Sequence, residues 1–144
     1  MEEIETAIEI NAPADKVWKV LTDLSQFQQW NPFIRQIGGE VREGARLKVF
    51  IQPPGKKGMT FKPKVTRVIS GREFRWLGHL LVPGLFDGEH IFEISPISEN
   101  CVRFVQRERF SGILLRLLWH SLDTSTRQGF NEMNAAIKEK AEKE

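Results

Sequence analysis

"EHIFEISPISENCVRFVQRERF", Glu89 to Phe110, decides the fold. In its second half Phe104, Gln106, Glu108 and Phe110 fall on one side of an extended chain, and Arg103, Val105, Arg107 and Arg109 on the other, because successive side chains of a strand point to opposite faces. The arginine face belongs in water, so the phenylalanine face turns inward. With a turn near Ser98 to Asn100, the first half forms an antiparallel partner with His90, Phe92 and Ile94 inward and Glu89 and Glu93 outward. His90 then lies opposite Glu108, and Phe92 opposite Gln106. A hairpin with one oily face needs a covering layer from elsewhere in the chain.

The segment that follows supplies it. From Ser111, read as a cap, to about Glu142, the residues Leu115, Trp119, Leu122, Thr126, Phe130, Met133 and Ile137 recur at spacings of three and four, the stripe of one long helix. At 1.5 Å per residue it is roughly 45 Å long, so its far end is expected to protrude. At the other terminus Ile4, Thr6, Ile8 and Ile10 alternate with Glu5, Ala7 and Glu9 as a first strand. Pro13 opens a helix carrying Val17, Trp18, Val20, Leu21 and Leu24, and Ser25 is read as the cap of a second, short helix ending at Trp30. Pro32 makes "QFQQWNPFIRQI", Gln26 to Ile37, a corner whose backbone Asn31 ties together. Six further strands fill Ile34 to Phe110 between turn clusters, and Pro63 within the Met59 to Ile69 strand predicts a bulge or an edge.

Composition narrows the partners. A chain of 144 residues fits a single domain over 1–144, and 40% hydrophobic with 28% charged residues is the balance of an ordered protein. The longest apolar stretch, Ile113 to Leu122, is broken by Arg116 and His120 and falls short of the roughly 20 residues that span a bilayer. Glu2, Glu3 and Glu5 are unlike the basic start of a secretory signal, and Cys101 has no partner within the chain, so a cytoplasmic location is expected. The basic run Lys56 to Arg75 alternates with Phe61, Pro63 and Val65 as the wet face of a strand and brings no reading motif, so no nucleic acid is expected. His79, His90 and His120 stand at no ligand spacing, and "GKKG" at Gly55 to Gly58 is no phosphate loop; neither metal nor cofactor is expected.

"WNPFI" at Trp30 to Ile34, "PGLFDGEHIFEI" at Pro83 to Ile94, "ERFSGILL" at Glu108 to Leu115 and "TRQGFNEMNAAIKEKAE" at Thr126 to Glu142 together resemble the bacterial polyketide cyclase/dehydrase-like branch of the SRPBCC superfamily. This is the family of START lipid-transfer domains and birch-pollen-allergen proteins. The resemblance implies an α+β helix-grip fold: a curved seven-stranded antiparallel sheet wrapped around the C-terminal helix, two short helices between strands one and two, and an apolar cavity between sheet and helix. The ligand it implies is small and hydrophobic or amphipathic: polyketide-like, isoprenoid or acyl.

In such a cavity Trp30, Phe33, Phe61, Trp76, Phe92, Phe104, Phe110 and Phe130, with Leu118 and Met133, would supply walls, and His90, Gln106 and Glu108 would orient the ligand. Gly78 and Gly129 lack side chains where the pattern permits them, which suggests either a void or a close backbone approach. Leu85, Phe86 and Leu114 would form an entrance. The same aromatic residues also suit a filled core. Two alternatives stand beside binding: an enzyme in which Glu108 or His90 removes a proton next to a carbonyl, and a module that uses the Leu80 to Gly88 loop for transient contact with a membrane or protein.

Overall fold

The computed structural model describes residues 1–80 and 82–143, apart from the side chains of Ser121 and Leu122. Leu81 of the predicted loop and the Leu122 position of the helical stripe therefore lie outside the described residues. In chain order the elements are β1 (Glu2–Ile10), α1 (Ala14–Thr22), a 3-10 turn (Leu24–Gln26), α2 (Phe27–Trp30), β2 (Ile34–Gly38), β3 (Lys48–Ile51), β4 (Met59–Phe61), β5 (Lys64–Ile69), β6 (Glu73–His79), β7 (Asp87–Ser98), β8 (Cys101–Ser111) and α3 (Leu115–Glu142).

The strands form a five-stranded sheet in the order β1-β8-β7-β6-β5 and a three-stranded sheet β2-β3-β4, with every pairing antiparallel. Among the described residues the seven strands expected from sequence are therefore eight, in two sheets. The difference lies at Pro63, which splits the Met59 to Ile69 strand: with no N–H to donate, the chain leaves the small sheet after Phe61 and enters the large one at Lys64. Its carbonyl still accepts the Leu47 N–H at 2.8 Å, and Val65 donates to the Ala45 carbonyl at 2.8 Å, so the two sheets remain stitched together.

The β7-β8 hairpin has the register that side-chain parity requires, His90 opposite Glu108 and Phe92 opposite Gln106. On the wet face Arg107 pairs with Glu93 at 2.7 Å and Glu3 at 3.5 Å. On the inner face Ile4, Phe74, Phe92 and Phe104 are fully or nearly fully buried against Phe130, Met133 and Ile137 of α3. No helix among the described residues is long and apolar enough to cross a membrane.

Three local readings are corrected. Ser25 lies in the 3-10 turn and its hydroxyl donates to Asp23 at 3.1 Å; α2 begins after it without a side-chain cap. Ser111 closes β8, and α3 starts at Leu115, because Gly112 (φ +116°) turns the chain so close to the Leu85 carbonyl that a Cβ would sit 2.6 Å from its oxygen. The far end of α3 does not protrude. Ala141 is fully buried, Glu142 accepts the Asn11 N–H at 2.8 Å, and Lys138 and Arg127 donate to the Glu9 and Glu5 carbonyls of β1. The opposite end is the exposed one, with Ile113 and Leu117 each 79% exposed.

The corner is held as its sequence requires: the Asn31 Oδ1 accepts the N–H groups of Phe33 and Ile34 at 2.9 and 2.8 Å. Phe33 then packs against the bare backbone at Gly129, where a Cβ would meet the ring at 2.3 Å, and stands edge-on to Phe130. Gly129 marks a close approach rather than a void. Gly129→Ala gains about 1 kcal/mol in helix propensity but must displace a buried ring, which costs about 1–3 kcal/mol. We expect a net loss of stability and a lower thermal midpoint, measured by circular dichroism.

Candidate functional site

A cavity of about 320 Å³ lies where β3, β4 and the inner face of β6-β7-β8 meet the loop after β6 and the first turns of α3. Val49, Ile51, Met59, Phe61 and Pro63 form one wall; Trp76, Gly78, His79, Leu80, Phe86, Gly88, His90, Glu108, Phe110 and Leu118 form the rest. Of the residues expected from sequence, Phe61, Trp76, His90, Glu108, Phe110, Leu118 and the entrance residue Phe86 thus come together here. Gly78 faces the space with only the Pro63 ring near it, at 3.6 Å, so here the missing side chain does leave room.

The others stand elsewhere. Phe92, Phe104, Phe130 and Met133 are buried in the core, and Phe33 is packed on α3. Trp30 sits half-buried at the corner with its ring edge-on to Phe27, 5.0 Å between centroids. The corner therefore docks α3 and contributes no cavity wall. Leu85 and Leu114 are joined backbone to backbone at 3.0 Å behind the entrance. Gln106 is fully buried and reaches the cavity only through His90.

The loop between β6 and β7 folds back rather than standing out. Leu80 donates to the Phe86 carbonyl at 2.8 Å, Ile113 donates to the Gly84 carbonyl at 3.1 Å, and the Asp87 carboxylate accepts the Gly84 N–H at 3.1 Å. Phe86 is consequently buried, with its ring 5.7 Å from Phe110.

The polar part of the wall is a directed chain. The Thr6 hydroxyl donates to the main-chain carbonyl of Gln106 at 3.3 Å, the Asn134 side-chain amide to Thr6 Oγ1 at 2.8 Å, and the Gln106 side-chain amide to Asn134 Oδ1 at 2.8 Å. With its amide nitrogen so engaged, Gln106 presents Oε1 to His90 Nε2 at 2.9 Å, and only a protonated Nε2 satisfies it. That leaves a lone pair on Nδ1, which faces Glu108 Oε1 at 3.5 Å. Neither Asn134 nor Thr6 was singled out from sequence; the available signal was a polar residue on each of two otherwise apolar buried faces.

Burial keeps both ends of the pair uncharged. The His90 ring, 1% exposed and enclosed by Trp76, Phe92 and Phe130, is pushed down to a pKa of about 3 by desolvation, with only partial compensation from Gln106. Desolvation raises Glu108 to about 8, and its remaining 18% exposure is toward the cavity. Gly88 makes room for the carboxyl: a Cβ there would lie 2.4 Å from Glu108 Oε2. At neutral pH the site is a protonated acid beside an imidazole with an available lone pair, in oily surroundings. It can exchange hydrogen bonds, or a proton, with a ligand.

A family profile described as "Polyketide cyclase / dehydrase and lipid transport" matches residues 1–142. Among solved structures the chain is similar to the Zhui aromatase/cyclase from Streptomyces sp. R1128, with TM-score 0.81 and 15% identity over 98% of this chain and 93% of that one. A START superfamily protein from Mycobacterium smegmatis gives 0.78 and 14% over 97% of each chain. A norcoclaurine synthase point mutant from Thalictrum flavum gives 0.73 and 14% over 97% and 93%. At these identities the likeness carries the fold and no activity. No curated protein matches the sequence.

The pair also makes stability depend on pH. Glu108 is raised from about 4.5 to about 8, so the folded protein holds a proton that the unfolded chain loses, and stability falls as pH rises from 4.5 to 8. His90 is lowered from 6.5 to about 3, so the unfolded chain takes up the extra proton and stability falls as pH drops below 6.5. Between pH 4.5 and 6.5 the slopes oppose each other; from 6.5 to 8 Glu108 acts alone, at about 1.4 kcal/mol per pH unit. Urea unfolding at pH 6.5 and 8.0 should show the native protein losing stability over that interval and Glu108→Gln losing much less.

Proposed function

Because the chain belongs to the polyketide cyclase/dehydrase and lipid-transport family, whose members bind hydrophobic ligands or act on polyketides, we propose that it holds a small hydrophobic or amphipathic molecule in the cavity beside Glu108. Polyketide-like, isoprenoid and acyl compounds are the classes that suit it. The observation that carries this reading is the cavity itself: about 320 Å³, with aliphatic and aromatic walls and one buried polar pair. That volume is at the lower end of the range for small-molecule sites, about 300–1,000 Å³, and favours a compact ligand of one or two rings or a short chain. Burying about 200 Å² of apolar ligand surface contributes on the order of 5 kcal/mol. Micromolar affinity requires about 8 kcal/mol net, so the hydrogen bonds at Glu108 and His90 must add to it.

Gly78 offers a direct test. A leucine there would extend into the cavity from a strand position with no tight neighbour. Titration with the neutral fluorophore N-phenyl-1-naphthylamine should give saturable enhancement with the native protein and at least tenfold weaker binding with Gly78→Leu at unchanged circular dichroism. Equal binding by both would place the probe outside the cavity and refute the reading.

A second reading is favoured by the uncharged acid facing an imidazole lone pair: a cyclase or dehydratase in which Glu108 and His90 exchange protons with a carbonyl substrate. On this reading Glu108→Gln lowers turnover at least tenfold with little change in ligand affinity; a binding protein shows no turnover in either form.

A further inference from the structure

We propose that the ligand carries an uncharged hydroxyl, phenolic, enolic or alcoholic, that donates to Glu108 Oε2, and that the cavity excludes carboxylates of the same shape. This rests on the reading of the cavity as a ligand site and specifies the ligand's polar group. The direction of the buried chain decides the acceptor. Thr6, Asn134 and Gln106 each donate onward, so His90 must donate through Nε2 and expose the Nδ1 lone pair to Glu108 Oε1. A carboxyl proton is used best on Oε1, facing that lone pair. Oε2 is then the carbonyl oxygen of the acid, beside Gly88, where no Cβ screens it from the cavity. Should the acid ionise, Oε2 remains an acceptor, so both protonation states seek a donor from the ligand.

An anion finds nothing to offset its desolvation. No lysine or arginine is among the residues that line the cavity. His79, at the end of β6, already holds Asp87 through Nδ1 at 2.7 Å, which places a second carboxylate near the mouth. A buried carboxylate would meet acceptor oxygens and apolar walls, and a buried charge without a partner is strongly disfavoured.

Three ligands of one ring system separate the possibilities: 2-naphthol, naphthalene and 2-naphthoate, each displacing N-phenyl-1-naphthylamine at pH 7. The expected order is 2-naphthol tighter than naphthalene by about tenfold, with 2-naphthoate at least tenfold weaker than 2-naphthol. In Glu108→Leu the preference for 2-naphthol over naphthalene should vanish. In Glu108→Gln it should persist, since the amide can donate to His90 Nδ1 and keep its oxygen toward the cavity. Naphthoate binding as tightly as naphthol to the native protein overturns the inference without any variant, as does a naphthol preference that survives Glu108→Leu. If none of the three displaces the probe, the cavity reading itself fails; if naphthalene binds but the polar groups make no difference, only the present inference does.

Discussion

The hydrogen bonds that run from Thr6 through Asn134 and Gln106 to His90 fasten together the parts on which the site depends. They tie β1, α3, β8 and β7 at one point deep in an apolar interior. Buried polar groups that lose a partner are costly, so each link tolerates little sliding or rotation of the element that bears it. The rotation of α3 on the sheet and the register of the central hairpin are thereby coupled to the orientation of one imidazole. Apolar packing from Phe130, Met133 and Ile137 supplies the adhesion between helix and sheet but is less particular about angle.

The same chain accounts for the chemistry of the cavity. Without Gln106 the His90 ring could present either nitrogen, and the carboxyl opposite would have no fixed partner. With it, acid and imidazole face each other in a defined tautomer, and aromatic rings close around the imidazole. The glycines nearby serve opposite geometric needs: Gly88 admits the carboxyl of Glu108, Gly78 leaves open space, and Gly129 lets a ring press on a helix backbone.

Much of this was legible in sequence wherever alternation or helical spacing applied. Parity together with the turn at Ser98 to Asn100 placed His90 opposite Glu108, and a stripe at spacings of three and four produced α3. Asn31 before Pro32 read correctly as the brace of a corner. Boundaries were less legible, because Ser111 and Ser25 look like caps although close backbone approaches and local turns decide where the helices begin. Strand count failed at Pro63, where one continuous pattern passes between two sheets. The site was half legible: side-chain parity tells which face is inward but not at which end of the sheet the interior is filled. Phe92 and Phe104 therefore looked equivalent to Trp76 and Phe110. Asn134 escaped notice because an isolated polar side chain adds nothing to a hydrophobic repeat.

The fastening of α3 along β1 has one more consequence. A sheet that clasps a helix without closing into a barrel keeps an open flank, and such a flank invites another polypeptide to continue the ladder. Here the helix that is clasped lends its own cations, Arg127 and Lys138, to the main-chain oxygens of Glu5 and Glu9. The contacts that fasten the helix thus also occupy two main-chain acceptors that an incoming strand would need on the outer flank of β1.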